Sequence, residues 1–165
     1  MSRGFVKEDD LELAGTDLPE RPISAQPNYV TVNGYAQLQQ QAEALETSRL
    51  QLKANKDDAS TQQKLAVVER DLRYVSARLE SAILTTPNKS AEQVLFGATV
   101  KVEDEDGKLQ QFTIVGEDEA DIHLNKVSWV SPLAKALIGN KVGDVVNWPR
   151  PAGNTTLEII SIHYS

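Results

Sequence analysis

The 165 residues suffice for one domain of ordinary size, or for a small globular domain carrying an appendage. A net charge of −7 argues against sequence-independent gripping of a nucleic-acid backbone, which needs surplus Lys and Arg to displace counterions; any nucleic acid would be met through a protein partner. The absence of cysteine excludes disulfides and thiolate metal sites, and no apolar run approaches the roughly 20 residues of a membrane span, so a cytoplasmic chain with no membrane partner is expected.

Residues 1–28 carry Glu8, Asp9, Asp10, Glu12, Asp17 and Glu20, with Pro19, Pro22 and Pro27 set against any long helix. This composition predicts a flexible acidic arm. Phe5, Val6, Leu11 and Leu13 are too sparse to form a core, and Met1-Ser2-Arg3-Gly4 leads into Lys7-Glu8-Asp9-Asp10 instead of a signal-peptide core.

Residues 29–85 read as a helical hairpin. After the lead-in Asn28-Tyr29-Val30-Thr31, either Thr31 or Asn33 has the chemistry to cap a first helix that runs to about Ala54. Tyr35, Leu38, Ala42, Leu45 and Leu52 form its apolar stripe, interrupted by Arg49. On the second helix Leu65, Val68, Leu72, Val75, Leu79 and Ala82 are spaced 3, 4, 3, 4, 3, the seam of a coiled coil. Two facing stripes close together predict an antiparallel, intramolecular pair and a monomer. The bend is Asn55 to Ala59, where Asp57 and Asp58 form an acidic tip. Ser60-Thr61-Gln62-Gln63 has capping-box spacing; if Asp58 is the cap instead, one of the two carboxylates is used up by the fold.

Thr85 to Ser90 is a break in composition, and residues 90–165 change to strand periodicity. Ala98 to Glu103 and Gln110 to Gly116 are predicted strands flanking the turn Asp104-Glu105-Asp106-Gly107. Ile122 to Val127, Val145 to Trp148 and Thr156 to His163 are further strands, and Pro132 to Ile138 a short helix with Ser131 as cap and Gly139 as stop. The expected fold class is α+β, a hairpin followed by a small antiparallel-sheet domain with a short helix.

Val94-Leu95-Phe96-Gly97-Ala98-Thr99-Val100, Ile114-Val115-Gly116, Ser131 to Gly139, Val142-Gly143-Asp144 and Pro151-Ala152-Gly153, behind a hairpin that begins Val30-Thr31 and Gly34-Tyr35 with Leu38, resemble the Gre family of bacterial transcription elongation factors. The resemblance covers about residues 29–165, and the Ser-Pro-x-Ala-x-x-Leu segment is its most specific piece. It implies an FKBP-like domain that binds RNA polymerase and a coiled coil inserted into the polymerase's secondary channel. There, tip carboxylates help hold a second Mg2+ while water cleaves backtracked RNA. On that reading the protein is no enzyme by itself and has no cofactor of its own. Asp57 and Asp58 are the tip acids, shared Mg2+ ligands supplied to the polymerase site, and Ser131, Pro132 and Lys135 lie in the polymerase-binding segment. The family's Gly-Asp-x-x-Glu-Asn-Ala-like tip is missing, and each arm is about seven residues shorter than in longer members, roughly 10 Å at 1.5 Å per residue. Regulation of the channel without cleavage is therefore the alternative.

Two other classes stand beside this one. A peptidyl-prolyl isomerase would need an aromatic-walled pocket, for which residues 90–165 offer Phe96, Phe112, Trp129, Trp148 and Tyr164. A coiled-coil adaptor would need its arms to pair between chains. His123 and His163 have no neighbouring nucleophile pattern and read as surface residues.

Overall fold

A computed structural model describes residues 18–55 and 57–165. The expectations for Phe5, Val6, Leu11, Leu13 and the acids from Glu8 to Asp17 lie outside the described residues. The chain divides into two compact units, one holding residues 35–82 with the arm up to Pro27, the other residues 28–34 and 83–165. The hairpin's root, residues 28–34, thus groups with the C-terminal domain.

In the first unit, helix α1 (Val32–Lys53, 22 residues) and helix α2 (Ala59–Ser81, 23 residues) form the two arms, each about 33–35 Å long at 1.5 Å per residue. Thr31 caps α1, its hydroxyl accepting from the Gly34 amide at 2.9 Å. Leu38, Val68 and Val75 are buried in the seam, while Leu65, Leu72 and Leu79 are half-buried. Arg49 stays at the seam's margin by pairing with Glu46 one turn earlier. A second set of buried residues, Val67, Arg70, Asp71 and Arg78, lies on other faces of α2. Asp71 of this set and two neighbours on α2 meet the arm before Pro27: the exposed Arg73 grips Glu20 with both donors (2.8 and 2.7 Å). Arg21 stacks over Tyr74, 3.8 Å from the ring centre, and pairs with Asp71 at 3.4 Å. The segment predicted as a flexible arm therefore has ordered ionic and cation–π contacts at residues 20 and 21.

Helix α2 stops at Ser81, one residue short of the last position of the predicted stripe, because Ala82 turns extended. The released chain forms strand β2 (Ile83–Leu84), which pairs in parallel with β1 (Tyr29–Val30). The lead-in to the hairpin is therefore a strand.

The second unit is built on a five-stranded sheet of β3 (Thr99–Asp104), β4 (Leu109–Val115), β5 (Lys126–Ser128), β6 (Val145–Trp148) and β7 (Thr155–His163), in the order β5-β4-β3-β7-β6. Three of its four pairings are antiparallel, but β4 and β5 run parallel. The sheet is mixed, and the expectation of an antiparallel one holds only for its larger part. The reason lies in residues 122–127. Asp121 accepts from the His123 amide and Asn125 adopts a left-handed conformation, so Ile122–Leu124 is a 3-10 turn and only Lys126–Ser128 is strand. Ile122 and Leu124, expected to lie in a strand, are 81% and 62% exposed in this turn.

Helix α3 (Pro132–Leu137) sits on the sheet with Leu133, Ala134 and Leu137 buried against Val100, Val102, Ile114, Val146, Leu157 and Ile159. In β7 the sequence's plain alternation of Leu157, Ile159 and Ser161 against Glu158, Ile160 and Ile162 fails after Ile159. A register shift opposite Lys101/Val102 changes the inward phase, so Ile162 and Tyr164 pack on the core in place of Ser161.

Candidate functional site

The hairpin tip is a short turn. The Asn55 amide donates to the Leu52 carbonyl at 3.1 Å and the Asp58 amide to the Asn55 carbonyl at 3.4 Å, closing α1 and delivering Asp58 in extended geometry to the start of α2. Asp58, not Ser60, is the N-cap: its Oδ1 accepts from the Ser60 amide at 3.1 Å and its Oδ2 faces the Thr61 hydroxyl at 3.4 Å. This satisfies a first-turn donor and places negative charge at the positive end of the helix. Asp57 and Asp58 are both exposed. Asp57 makes no hydrogen bond or ion pair among the described residues, so its two oxygens are available to an incoming group. Among the described residues no three His, Asp or Glu side chains are grouped to hold a metal ion. The tip thus offers one uncommitted carboxylate, a hard oxygen donor of the kind that suits Mg2+.

The Ser131–Lys135 segment divides in the same way between structure and surface. Ser131 accepts from the Ala134 amide at 3.2 Å and Pro132 opens the helix, while Leu133 and Ala134 are buried. Pro132 and Lys135 are exposed, leaving a rigid proline and a free-reaching ammonium on the domain's surface. The tip belongs to one unit and this segment to the other.

Concavities of the described surface are shallow. One of about 560 Å³ runs along the hairpin between Arg49 and the α2 residues Glu69, Leu72, Arg73, Ser76, Ala77 and Glu80. Another of about 450 Å³ on the sheet is lined by residues 108–112, Asn125 and Trp148. Of the aromatics considered for an isomerase pocket, only Phe112 and Trp148 line the latter, edge to face at 6.0 Å. Trp129 instead packs edge-on against Tyr29 at 5.0 Å, and Tyr164 is tied to the backbone of Gln93 and Leu95. His123 and His163 are exposed, as expected.

One residue at the hairpin root carries no signal in the sequence. Glu119 is 8% exposed; its Oε1 accepts from the Thr31 hydroxyl at 2.5 Å, and its Oε2 from Asn33 Nδ2 at 2.9 Å and Lys126 Nζ at 3.4 Å. Its partners lie up to 88 residues away, and no local pattern marks such a contact.

Residues 89–164 match the family described as "Transcription elongation factor, GreA/GreB, C-term". The chain is 39% identical over 112 residues to transcription elongation factor GreB of Neisseria meningitidis, covering 67% of this chain and 69% of that protein. It is 40% identical over 117 residues to transcription elongation factor GreA of Alkalilimnicola ehrlichii, covering 69% and 74%. Among solved structures, GreA factor homolog 1 (Gfh1) of Thermus thermophilus aligns with 84% of this chain and 99% of its own, at 27% identity and a TM-score of 0.41. The chain belongs to the GreA/GreB family of transcription elongation factors. Neither the family match nor these relatives supports the isomerase reading. Among the described residues no helix is long and apolar enough to cross a membrane.

Proposed function

We propose that this chain binds RNA polymerase through the surface around Pro132 and Lys135 and presents its hairpin to the secondary channel. There Asp57 lends a carboxylate to the polymerase's own catalytic centre and stimulates cleavage of backtracked RNA. The observation that supports this is the division of labour at the tip: Asp58 is committed to capping α2, and Asp57 is exposed with its oxygens unengaged. Mg2+, when bound by the polymerase, supplies the activation of water. Asp57 contributes a hard, negatively charged oxygen suited to such an ion, and the capped turn holds the carboxylate's backbone in place. The hydrolysis itself belongs to the polymerase. The factor acts as a monomer in the cytoplasm and meets RNA only through that partner.

The test is transcript cleavage by a halted, backtracked polymerase with three variants. Asp57→Asn removes the charge and is expected to lower stimulated cleavage roughly 10- to 100-fold, the scale seen when a group supporting a metal centre is lost. Asp58→Asn keeps the cap, because Asn caps as well as Asp, and is expected to retain most of the stimulation. Asp58→Ala loses the cap and falls between them. Equal, large losses in both Asn variants would contradict the assignment to Asp57.

A second reading, occupation of the channel without cleavage, is favoured by the same capping bond, which leaves a single uncommitted carboxylate at the tip. It predicts altered elongation with no added cleavage by the unmodified chain.

A further inference from the structure

Helix α2 carries a second stripe beside the seam. Val67, Asp71, Tyr74 and Arg78 are spaced 4, 3, 4, and each stands one residue before a seam position, Val68, Leu72, Val75 and Leu79. At 3.6 residues per turn this places the second stripe about 100° around the helix from the first. It is not a solvent-facing row: Val67 is 0%, Asp71 7% and Arg78 1% exposed, and Tyr74 is half-buried. A helix packed on a single partner buries one stripe, so two buried stripes on one helix call for two neighbours.

The segment before Pro27, which belongs to the same compact unit as the hairpin, supplies the second neighbour. Arg21 places its guanidinium 3.8 Å from the centre of the Tyr74 ring and 3.4 Å from Asp71 Oδ1. That oxygen also accepts from Arg70 Nε and Nη2 at 3.1 and 2.8 Å, so the Asp71 carboxylate stands between two guanidiniums. One residue earlier in the segment, Glu20 accepts from both Arg73 donors at 2.8 and 2.7 Å. Asp71 and Arg73 are two residues apart and therefore about 200° apart around α2. Glu20 and Arg21 together straddle the back of the helix, the side turned away from the seam.

We propose that the second stripe of α2 is a docking face for the chain's own N-terminal segment, closed by an ionic latch of Glu20 and Arg21 that salt opens. The two halves of the latch differ in strength. Glu20 and Arg73 are both exposed, and an exposed ion pair contributes little and is screened as the Debye length falls from about 8 Å at physiological ionic strength to about 3 Å at 1 M. The Arg21 contact is better protected, because Asp71 is 7% exposed and stacking over Tyr74 uses the flat face of the guanidinium as well as its charge. The Glu20–Arg73 half therefore sets the salt dependence, and the Arg21 half sets where the segment lies. Opening frees Asp71 and Tyr74, so the hairpin changes the chemistry of one face without unfolding. The latch is a property of the hairpin unit and does not depend on the proposed action on the polymerase.

The chain has no cysteine, so spin labels at Ile23→Cys, a position 52% exposed, and at Gln63→Cys on α2 report the latch within one unit of the full chain. At low salt the otherwise unaltered chain is expected to give one narrow distance distribution, which broadens at about 1 M salt while the helical circular dichroism stays unchanged. Glu20→Arg, which sets two cations against each other, is expected to broaden the distribution at low salt. Glu20→Arg with Arg73→Glu rebuilds the pair in reverse and is expected to narrow it again. Arg21→Gln, which removes both the ring contact and the pair with Asp71, is a second and independent disruption and is expected to broaden the distribution at every salt concentration. Glu20, Arg21 and Arg73 are all exposed, so these variants are expected to fold. A distribution already broad at low salt, one that stays narrow at high salt, or one that neither Glu20→Arg nor Arg21→Gln changes would overturn the proposal. Broadening by Glu20→Arg without recovery in the charge swap would overturn the part assigned to the Glu20–Arg73 pair.

Discussion

Asp57 and Asp58 are neighbours of one type with different work, and a pair of hydrogen bonds separates them. Sequence alone leaves the cap open between Asp58 and Ser60, because both are good N-caps and both precede the same apolar stripe. The 3.1 Å contact from the Ser60 amide to Asp58 decides it. Asp58→Ala is therefore expected to cost about 1 kcal/mol of hairpin stability and Asp58→Asn only a few tenths, read from urea unfolding followed by circular dichroism. Tyr164 gives a pH test in the other unit. Its hydroxyl donates to the Gln93 carbonyl at 2.5 Å and accepts from the Leu95 amide at 2.9 Å. Burial pushes its pKa above the usual phenol value, the Leu95 bond offsetting part of the rise. A raised folded pKa means that the stabilisation is complete below the unfolded value of about 10 and is lost as pH rises through the folded one. Thermal unfolding of the C-terminal unit is thus expected to be insensitive to this group at neutral pH and to weaken in alkali, with Tyr164→Phe removing that part of the alkaline dependence.

At the scale of elements, what is legible in the sequence is whatever repeats locally. The 3, 4, 3, 4, 3 spacing identifies the seam of α2, and Leu38 and Val75 are buried as it requires. Leu38→Ala, at a position only 2% exposed, is expected to cost about 2–5 kcal/mol in the same unfolding experiment. The cap and stop of α3 are equally plain, since Ser131, Pro132 and Gly139 each act within one turn of their own position. Because Leu133 and Ala134 carry the packing of α3 and Lys135 faces solvent, Lys135→Glu is expected to weaken polymerase binding while leaving thermal unfolding unchanged, checked by titration and calorimetry. Features that depend on distant partners are not legible. Ile122 and Leu124 have strand-like chemistry, but Asp121 and Asn125 wind them into an exposed turn. In β7 the alternation read from the sequence runs on from Leu157 and Ile159 to Ser161, yet the register shift opposite Lys101/Val102 brings Ile162 inward. The clamp at Glu119 depends on Thr31 and Asn33 arriving from the far end of the chain.

At the scale of the molecule, a two-helix hairpin and a sheet domain make up two compact units, and in the proposed function the chemistry is completed by a partner. The division into hairpin and C-terminal domain is visible in the change of period near Thr85, but not the membership of residues 28–34, which the β1–β2 pairing and the Glu119 clamp assign to the domain. The acidic balance of the chain accords with action through a protein surface instead of direct capture of RNA. The most direct test of the central claim is the length of the nascent transcript in a halted, backtracked RNA polymerase complex, incubated with and without the full chain in Mg2+. Rapid shortening of the RNA from its 3′ end is expected in the presence of the chain, and cleavage near the polymerase's intrinsic rate with Asp57→Asn. An unchanged cleavage rate with the unmodified chain bound would contradict the claim.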